Sequence, residues 1–216
     1  MFDPIQTVFF LLALVVSISV HECSHAWAAY ELGDPTARNL GRLTLNPLVH
    51  FDPLGALMIV FMAISGWGLG WGKPVPVNPY NLRLNPRTGM GLTAAAGPFS
   101  NLVLAALLAI PLRLLGTLLP ELAWRFLLAA IITNVSLAIF NLIPLPPLDG
   151  FSVLQGILST FRTRWAQQWS HALDRVAPYG PILLLALLSL GWFSAVNPLT
   201  WLMRGPVQVL LRLLIG

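Results

Sequence analysis

The stretch Ile5 to Ala29, IQTVFFLLALVVSISVHECSHAWAA, decides the fold. It carries Glu22 as its sole acid and no Lys or Arg, and it is long enough for the roughly 20 residues that a helix needs to cross hydrocarbon. Asp3-Pro4 before it reads as a helix start and Gly33-Asp34-Pro35 after it as a stop. No Lys or Arg precedes it, and cleavage after the small residues near Ala29 would remove its histidines, so it reads as a retained helix and not as a secretion signal.

Working outward, similar stretches run at about Gly91 to Leu112, Trp124 to Leu142 and Tyr179 to Val196. A fifth, Leu54 to Trp71, is broken by Gly55, Gly66, Gly68 and Gly70, a density that weakens a helix. Of the 216 residues, 56% are hydrophobic and 9% charged, more apolar surface than a water-soluble domain of this size can hide. The expectation is an all-α polytopic membrane protein whose partner is the lipid bilayer. It has about four full spanning helices, a re-entrant apolar segment, a short extended edge loop and an interfacial amphipathic helix.

The formal charge of +4 does not point to nucleic acid, because the cations are scattered singly between apolar stretches. A single cysteine, Cys23, excludes a disulfide framework within the chain. No repeat or separate soluble domain is visible. Residues 1–216 therefore read as one membrane-embedded domain, with a core over about residues 5–150 and a C-terminal portion over 151–216.

Lys73-Pro74-Val75-Pro76-Val77 is too rich in proline for a helix and predicts an extended edge. From Phe151 to Val176, Leu154, Leu158, Phe161, Trp165 and Trp169 recur at helical spacing, which predicts one amphipathic helix at the membrane surface. The tail after Pro206 has only a short apolar run, and its expected place is also the interface.

His21-Glu22-Cys23-Ser24-His25 matches H-E-x-x-H. At about 100° per residue a helix places His21, Glu22 and His25 in one quadrant and turns Cys23 away. Two imidazoles one turn apart suit one tetrahedral zinc ion, with the intervening Glu placed as a general base. Ionisable groups inside a spanning helix are costly and mark function. A catalytic zinc takes three protein ligands. A metzincin pattern is excluded, since Ala28 and Glu31 stand where Gly and His are needed. Asp149 is the strongest third ligand, being the only ionisable group between Arg125 and Arg162 and lying at the end of an apolar helix, with His50 and Asp52 as rivals.

The chain resembles the site-2 protease family of intramembrane metalloproteases. His21 to His25 is similar to its zinc helix, Asn141-Leu142-Ile143-Pro144-Leu145-Pro146-Pro147-Leu148-Asp149-Gly150 to its N-x-x-P-x-P-x-L-D-G segment, and Gly97-Pro98-Phe99-Ser100-Asn101 to the G-P-x-x-N of its middle helix. The resemblance implies one catalytic Zn2+ held by His21, His25 and Asp149, Glu22 as general base, and Asn101 and Asn141 near substrate or the oxyanion. The implied activity is hydrolysis of membrane-spanning protein segments in regulated intramembrane proteolysis. No region reads as the PDZ or CBS domain of some members, as in a short form of the family.

Both His25 and Asp149 are expected near the C-terminal ends of their helices, so those helices must run in the same direction. One apolar segment between them must then not cross, and since a crossing by glycine-rich Leu54 to Trp71 would leave the cations split six to six, that segment is the natural choice. This puts Arg38, Arg42, Lys73, Arg83, Arg87, Arg162, Arg164 and Arg175 on one side against Arg113, Arg125, Arg204 and Arg212 on the other, a split of eight to four. By the positive-inside rule the metal then lies near the cytoplasmic face, and the expected location is the cell membrane of a prokaryote. A substrate span must unwind before attack, and the N–H groups of Val75 and Val77, with Lys73 at the start of the edge, are expected to pair with it by strand addition. A polar cavity is expected to bring water to the metal. The competing readings are a membrane metal-ion transporter, for which successive sites along a path would be needed, and a non-catalytic scaffold, which would have no need of Glu22 and both histidines. Oligomeric state leaves no mark in the sequence.

Overall fold

The computed structural model describes residues 3–65, 70–193 and 197–216. Helices α1 (Pro4–Glu31), α2 (Thr36–Asn39), α3 (Pro53–Ser65), α4 (Pro86–Leu115), α5 (Glu121–Asn141), α6 (Asp149–Thr160), α7 (Arg164–Val176), α8 (Gly180–Phe193) and α9 (Pro198–Ile215) follow in order, with no strand among the described residues. Among the described residues, four rods are long and apolar enough to cross a membrane: Pro4–Glu31, Pro86–Leu115, Glu121–Asn141 and Arg164–Leu190. The protein is an all-α polytopic membrane protein.

Helix α1 starts where Asp3 accepts hydrogen bonds from the N–H groups of Ile5 (3.0 Å) and Gln6 (3.3 Å), with Pro4 in the first turn. It ends at Leu32, and Gly33 turns the chain with φ +110. Side-chain contacts fix the helix directions. Asn101 of α4 reaches Ser17 and His21 of α1, whereas Thr93, two turns earlier in α4, reaches His25, so α1 and α4 are antiparallel. Asn101 also meets Asn134 of α5, and α5 ends towards Asp149, beside His25. Helices α1 and α5 therefore run in the same direction, as the topology argument requires.

Residues around α3 leave and return at one place. Phe51 pairs antiparallel with Gly72, and the N–H of Lys73 donates to the carbonyl of His50 at 2.8 Å. The 13 residues of α3 reach about 20 Å, short of the roughly 30 Å hydrocarbon core. The return leg passes so close that a Cβ on Gly70 would lie 2.1 Å from Cγ1 of Ile59. The described ends of the segment thus meet, and α3 packs through Ile59 on Leu14 and Ile18. Gly66 and Gly68 fall outside the described residues.

Four expectations need correction. Asp149 does not end a helix: α5 stops at Asn141, and Asp149 is the first residue of α6, after the Pro144 to Pro147 turn. A single amphipathic helix over 151–176 is in fact two, because Phe161 is extended (φ -89, ψ 120). Helix α6 packs inward on α4, where Gly91 and Gly156 let the backbones touch, while α7 turns Trp165 (50% exposed) and Trp169 (62%) outward. Helix α7 then runs on through Ala177–Tyr179 into α8, so the last apolar rod begins at Arg164 and not at Tyr179. Its expected end at Val196 lies outside the described residues. Nor does the tail lie flat. Helix α9 starts with Leu199 against Leu148 and Leu184 and ends with Leu210, Leu211 and Leu214 packed near Ala105, Ala109, Leu112 and Ile131. Apolar contact along α4 and α5 gives it a place in the bundle despite Arg204, Pro206 and Arg212.

Candidate metal centre

His21 and His25 stack one turn apart on α1, their ring centroids 4.6 Å apart and their planes at 89°. Both are buried, at 5% and 8% exposure. Nε2 of His21 lies 3.1 Å and Nε2 of His25 3.4 Å from Oδ2 of Asp149. These separations match the edge, about 3.3 Å, of a tetrahedron with its vertices about 2 Å from a central zinc.

The hydrogen-bond network fixes which ring nitrogens donate outward. Asn101 is fully buried, and its Nδ2 donates to the Ser17 carbonyl (3.0 Å) and to Oδ1 of Asn134 (2.8 Å). Flipping the amide would set its oxygen against the Ser17 carbonyl, so Oδ1 faces Nδ1 of His21, at 2.6 Å, and accepts its proton. Asn134 is fixed in turn by donating to the Ala130 carbonyl at 2.9 Å. Nδ1 of His25 donates to the Thr93 carbonyl at 2.7 Å. With both Nδ1 atoms turned outward, Nε2 of each ring faces Asp149, whose buried Oδ2 receives no hydrogen bond. Two imidazole nitrogens and a carboxylate oxygen thus converge on one point, which suits a cation. The outward hydrogen bond from each ring is the arrangement that orients metal-ligating histidines.

Gly97 makes room for the rings. A Cβ there would fall 2.4 Å from Nε2 of His25 and 2.7 Å from Cε1 of His21. Gly150 does the same for Asp149: a Cβ would lie 2.2 Å from the Leu142 carbonyl oxygen, so only glycine lets the first turn of α6 fold back on the end of α5. In the sequence, Gly97 stood out only as part of a motif, and nothing marked Thr93 or Asn134. Their roles need a partner helix to become visible.

The rival ligands are engaged elsewhere. His50 is fully buried, with Nε2 bonded to the Thr44 carbonyl at 2.7 Å, and Asp52 caps α3 through the N–H groups of Leu54 and Gly55. Among the described residues, His21, His25 and Asp149 are the one group of three or more such side chains able to share an ion.

A cavity of about 570 Å³ opens onto this centre. Glu22, His21, His25, Asn141 and Asp149 line it together with Leu14, Ile18, Ile59, Met62, Phe140 and Leu184, so it is less polar than expected and suits an apolar segment. Glu22 faces the extended segment: a Cβ on Gly72 would lie 3.5 Å from its Oε1. Val75 and Val77 line the same cavity, and among the described residues their N–H groups have no hydrogen-bond partner. Lys73 differs from the expectation. Its N–H is given to His50 and its carbonyl accepts from the Arg42 guanidinium, so its backbone is spent. Asn141 lines the cavity and spends one amide hydrogen on the Leu137 carbonyl at 3.0 Å. Asn101 is corrected outright, because its committed amide leaves no donor for an oxyanion and its contact is with His21.

Comparison with known proteins adds an independent line. The model of the family described as "Peptidase family M50" matches residues 9–121 and 116–187. The chain is 35% identical over 196 residues to "Putative zinc metalloprotease YwhC" of Bacillus subtilis, covering 85% of this chain and 87% of that protein. It is 32% identical over 184 residues to "Putative zinc metalloprotease Rip2" of Mycobacterium tuberculosis, covering 84% and 68%. A Rip2 of Mycolicibacterium smegmatis is 30% identical over 173 residues, covering 78% and 66%. No solved structure gives a significant match.

Proposed function

We propose, from the premise that this chain belongs to peptidase family M50, the site-2 protease family, that it cleaves peptide bonds within membrane-spanning segments of other proteins with one zinc ion held by His21, His25 and Asp149. The observation that carries this reading is the convergence of Nε2 of His21, Nε2 of His25 and Oδ2 of Asp149 on one point at the wall of an apolar cavity.

When bound there, zinc supplies a Lewis acid that polarises a carbonyl and acidifies water. The chain's own groups do the rest. Glu22, beside the histidines and facing Gly72, takes the proton of the attacking water and returns it to the leaving amine nitrogen. Val75 and Val77 offer unpaired N–H groups to the carbonyls of an unwound substrate strand. Asn141 has an amide hydrogen left for developing negative charge. The apolar wall, Leu14 to Phe140, receives the side chains of the substrate span.

The metal end of the bundle carries Arg38, Arg42, Lys73, Arg83 and Arg87, whereas Arg113 and Arg125 lie at the other, which supports a cytoplasmic placement of the metal end in the cell membrane. A conduction path would call for successive ion sites, and the described residues hold one.

The test uses purified protein in liposomes with a single-span substrate. Glu22→Gln is expected to keep zinc and lose cleavage, and Asp149→Asn to weaken both. Undiminished cleavage by Glu22→Gln, or full zinc in Asp149→Asn, overturns the reading.

A further inference from the structure

After 28 residues, about eight turns, α1 gives way to a turn holding a charge that the proposed chemistry does not use. Asp34 is fully buried. Its Oδ1 accepts from the Thr36 hydroxyl (2.6 Å), the Thr36 N–H (3.2 Å) and Nδ2 of Asn81 (2.9 Å), and its Oδ2 accepts from the backbone N–H of Asn78 at 2.7 Å. A buried carboxylate is expensive to hold, and four donors are what makes it tolerable. Two of these donors lie on Asn78, which directly follows the Val75 to Val77 edge, and on Asn81, which ends the short turn after it. Next to them, the N–H of Arg83 donates to the Leu32 carbonyl at 2.8 Å.

The other end of the edge is held as well. The Arg42 guanidinium, itself buried, donates to the Lys73 carbonyl, and the Lys73 N–H donates to His50. Between Lys73 and Asn78 the chain makes no further backbone hydrogen bond among the described residues. Its position against Glu22 and His25 is thus set by its two ends, and the end nearer Val77 is pinned to the turn that terminates the helix bearing His21, Glu22 and His25.

We infer that Asp34 is a positioning residue for substrate: through the Asn78 N–H, its carboxylate fixes the register of the Val75 to Val77 edge relative to the metal-binding helix, and so decides which substrate carbonyl is presented to the site. The inference rests on the proposed pairing of substrate with that edge. Strand pairing exists before and during bond cleavage alike, so loosening the edge weakens uniform binding and raises KM while kcat holds.

The experiment compares kcat and KM for a single-span substrate in liposomes, with zinc content, in wild type, Asp34→Asn, Asn78→Pro, Thr36→Val and Val75→Pro. Asp34→Asn sets an amide NH2 or a weakened acceptor against the Asn78 N–H. Asn78→Pro removes that N–H, together with the side-chain acceptor of the Tyr80 N–H, and leaves the Thr36 donors to Asp34 in place. Both are expected to raise KM about tenfold, the effect of a charge-assisted hydrogen bond, and to shift the cleavage position by mass spectrometry, with zinc and kcat retained. Thr36→Val removes a bond to the same carboxylate that does not reach the edge, and its KM and cleavage position are expected to stay at wild type. If Asp34→Asn loses zinc or does not fold, Asn78→Pro alone decides. Unchanged KM and cleavage position in Asn78→Pro overturn the positioning role. If Val75→Pro raises KM while Asp34→Asn and Asn78→Pro do not, the edge stands and Asp34 is purely structural. If Val75→Pro is also without effect, the edge itself fails.

Discussion

Gly97 and His25 approach so closely that a single methyl group on residue 97 would sit 2.4 Å from the nitrogen that faces Asp149. The contact is between the middle of α4 and the last turns of α1, and neither the ring nor the backbone beneath it has anywhere to retreat, since His25 is held from behind by the Thr93 carbonyl. Gly97→Ala is therefore expected to displace both rings, with most of the zinc and nearly all cleavage lost. Metal analysis of the purified variant checks this, and a full complement of zinc with normal turnover would show that the rings have more freedom than the packing allows.

Asn101 acts on the metal through His21. Replacing it with Leu leaves the Nδ1 proton of His21 buried without an acceptor and frees the ring to change tautomer. Zinc affinity is expected to fall about 10- to 100-fold, as for other groups that orient a metal-ligating histidine. A competitive chelator titration measures it, and unaltered affinity would count against the assigned tautomer.

Val75→Pro removes one of the two unpaired N–H groups along the cavity wall without touching a ligand. Cleavage is expected to drop sharply at constant zinc content. Wild-type cleavage rates in this variant would leave the extended segment as no more than a rigid connection.

Acid should undo the Asp34 turn. Burial works to raise the pKa of Asp34, but the hydrogen bonds from Thr36, Asn81 and the Asn78 N–H outweigh it and hold the group below the ordinary carboxylate range. With the folded value depressed, the stabilisation is complete above the unfolded value of about 3.9 and is lost as pH falls from there through the folded value. The gap in thermal midpoint between wild type and Asp34→Asn is expected to be flat near neutral pH and to narrow below about pH 4. A gap that is constant into that acid range would mean that Asp34 titrates as an ordinary carboxylate.

Long uncharged stretches require helices because the bilayer offers no partner for unpaired backbone groups, so α1, α4 and α5 were legible from composition alone. H-E-x-x-H was legible too, because the helix repeat by itself puts His21, Glu22 and His25 on one face. Local chemistry fixes such features. Proline and two arginines masked α9, whose place comes from the Ala105 to Leu112 surface it covers, a property of another helix. The break at Phe161 was hidden for a similar reason, since a continuous apolar spacing does not tell which residues face α4 and which face outward.

At the centre the division is the same. One segment could supply two histidines and a general base and, with the D-G turn, a leading third ligand. Only the folded bundle could show that Asp149 opens α6, that Asn101 spends its whole amide on positioning and that Thr93, Asn134 and Gly97 complete the shell. Sequence spacing determines geometry within a helix, where each residue's direction follows from its number. Geometry between helices depends on which surfaces meet, and that is decided by packing across the whole bundle.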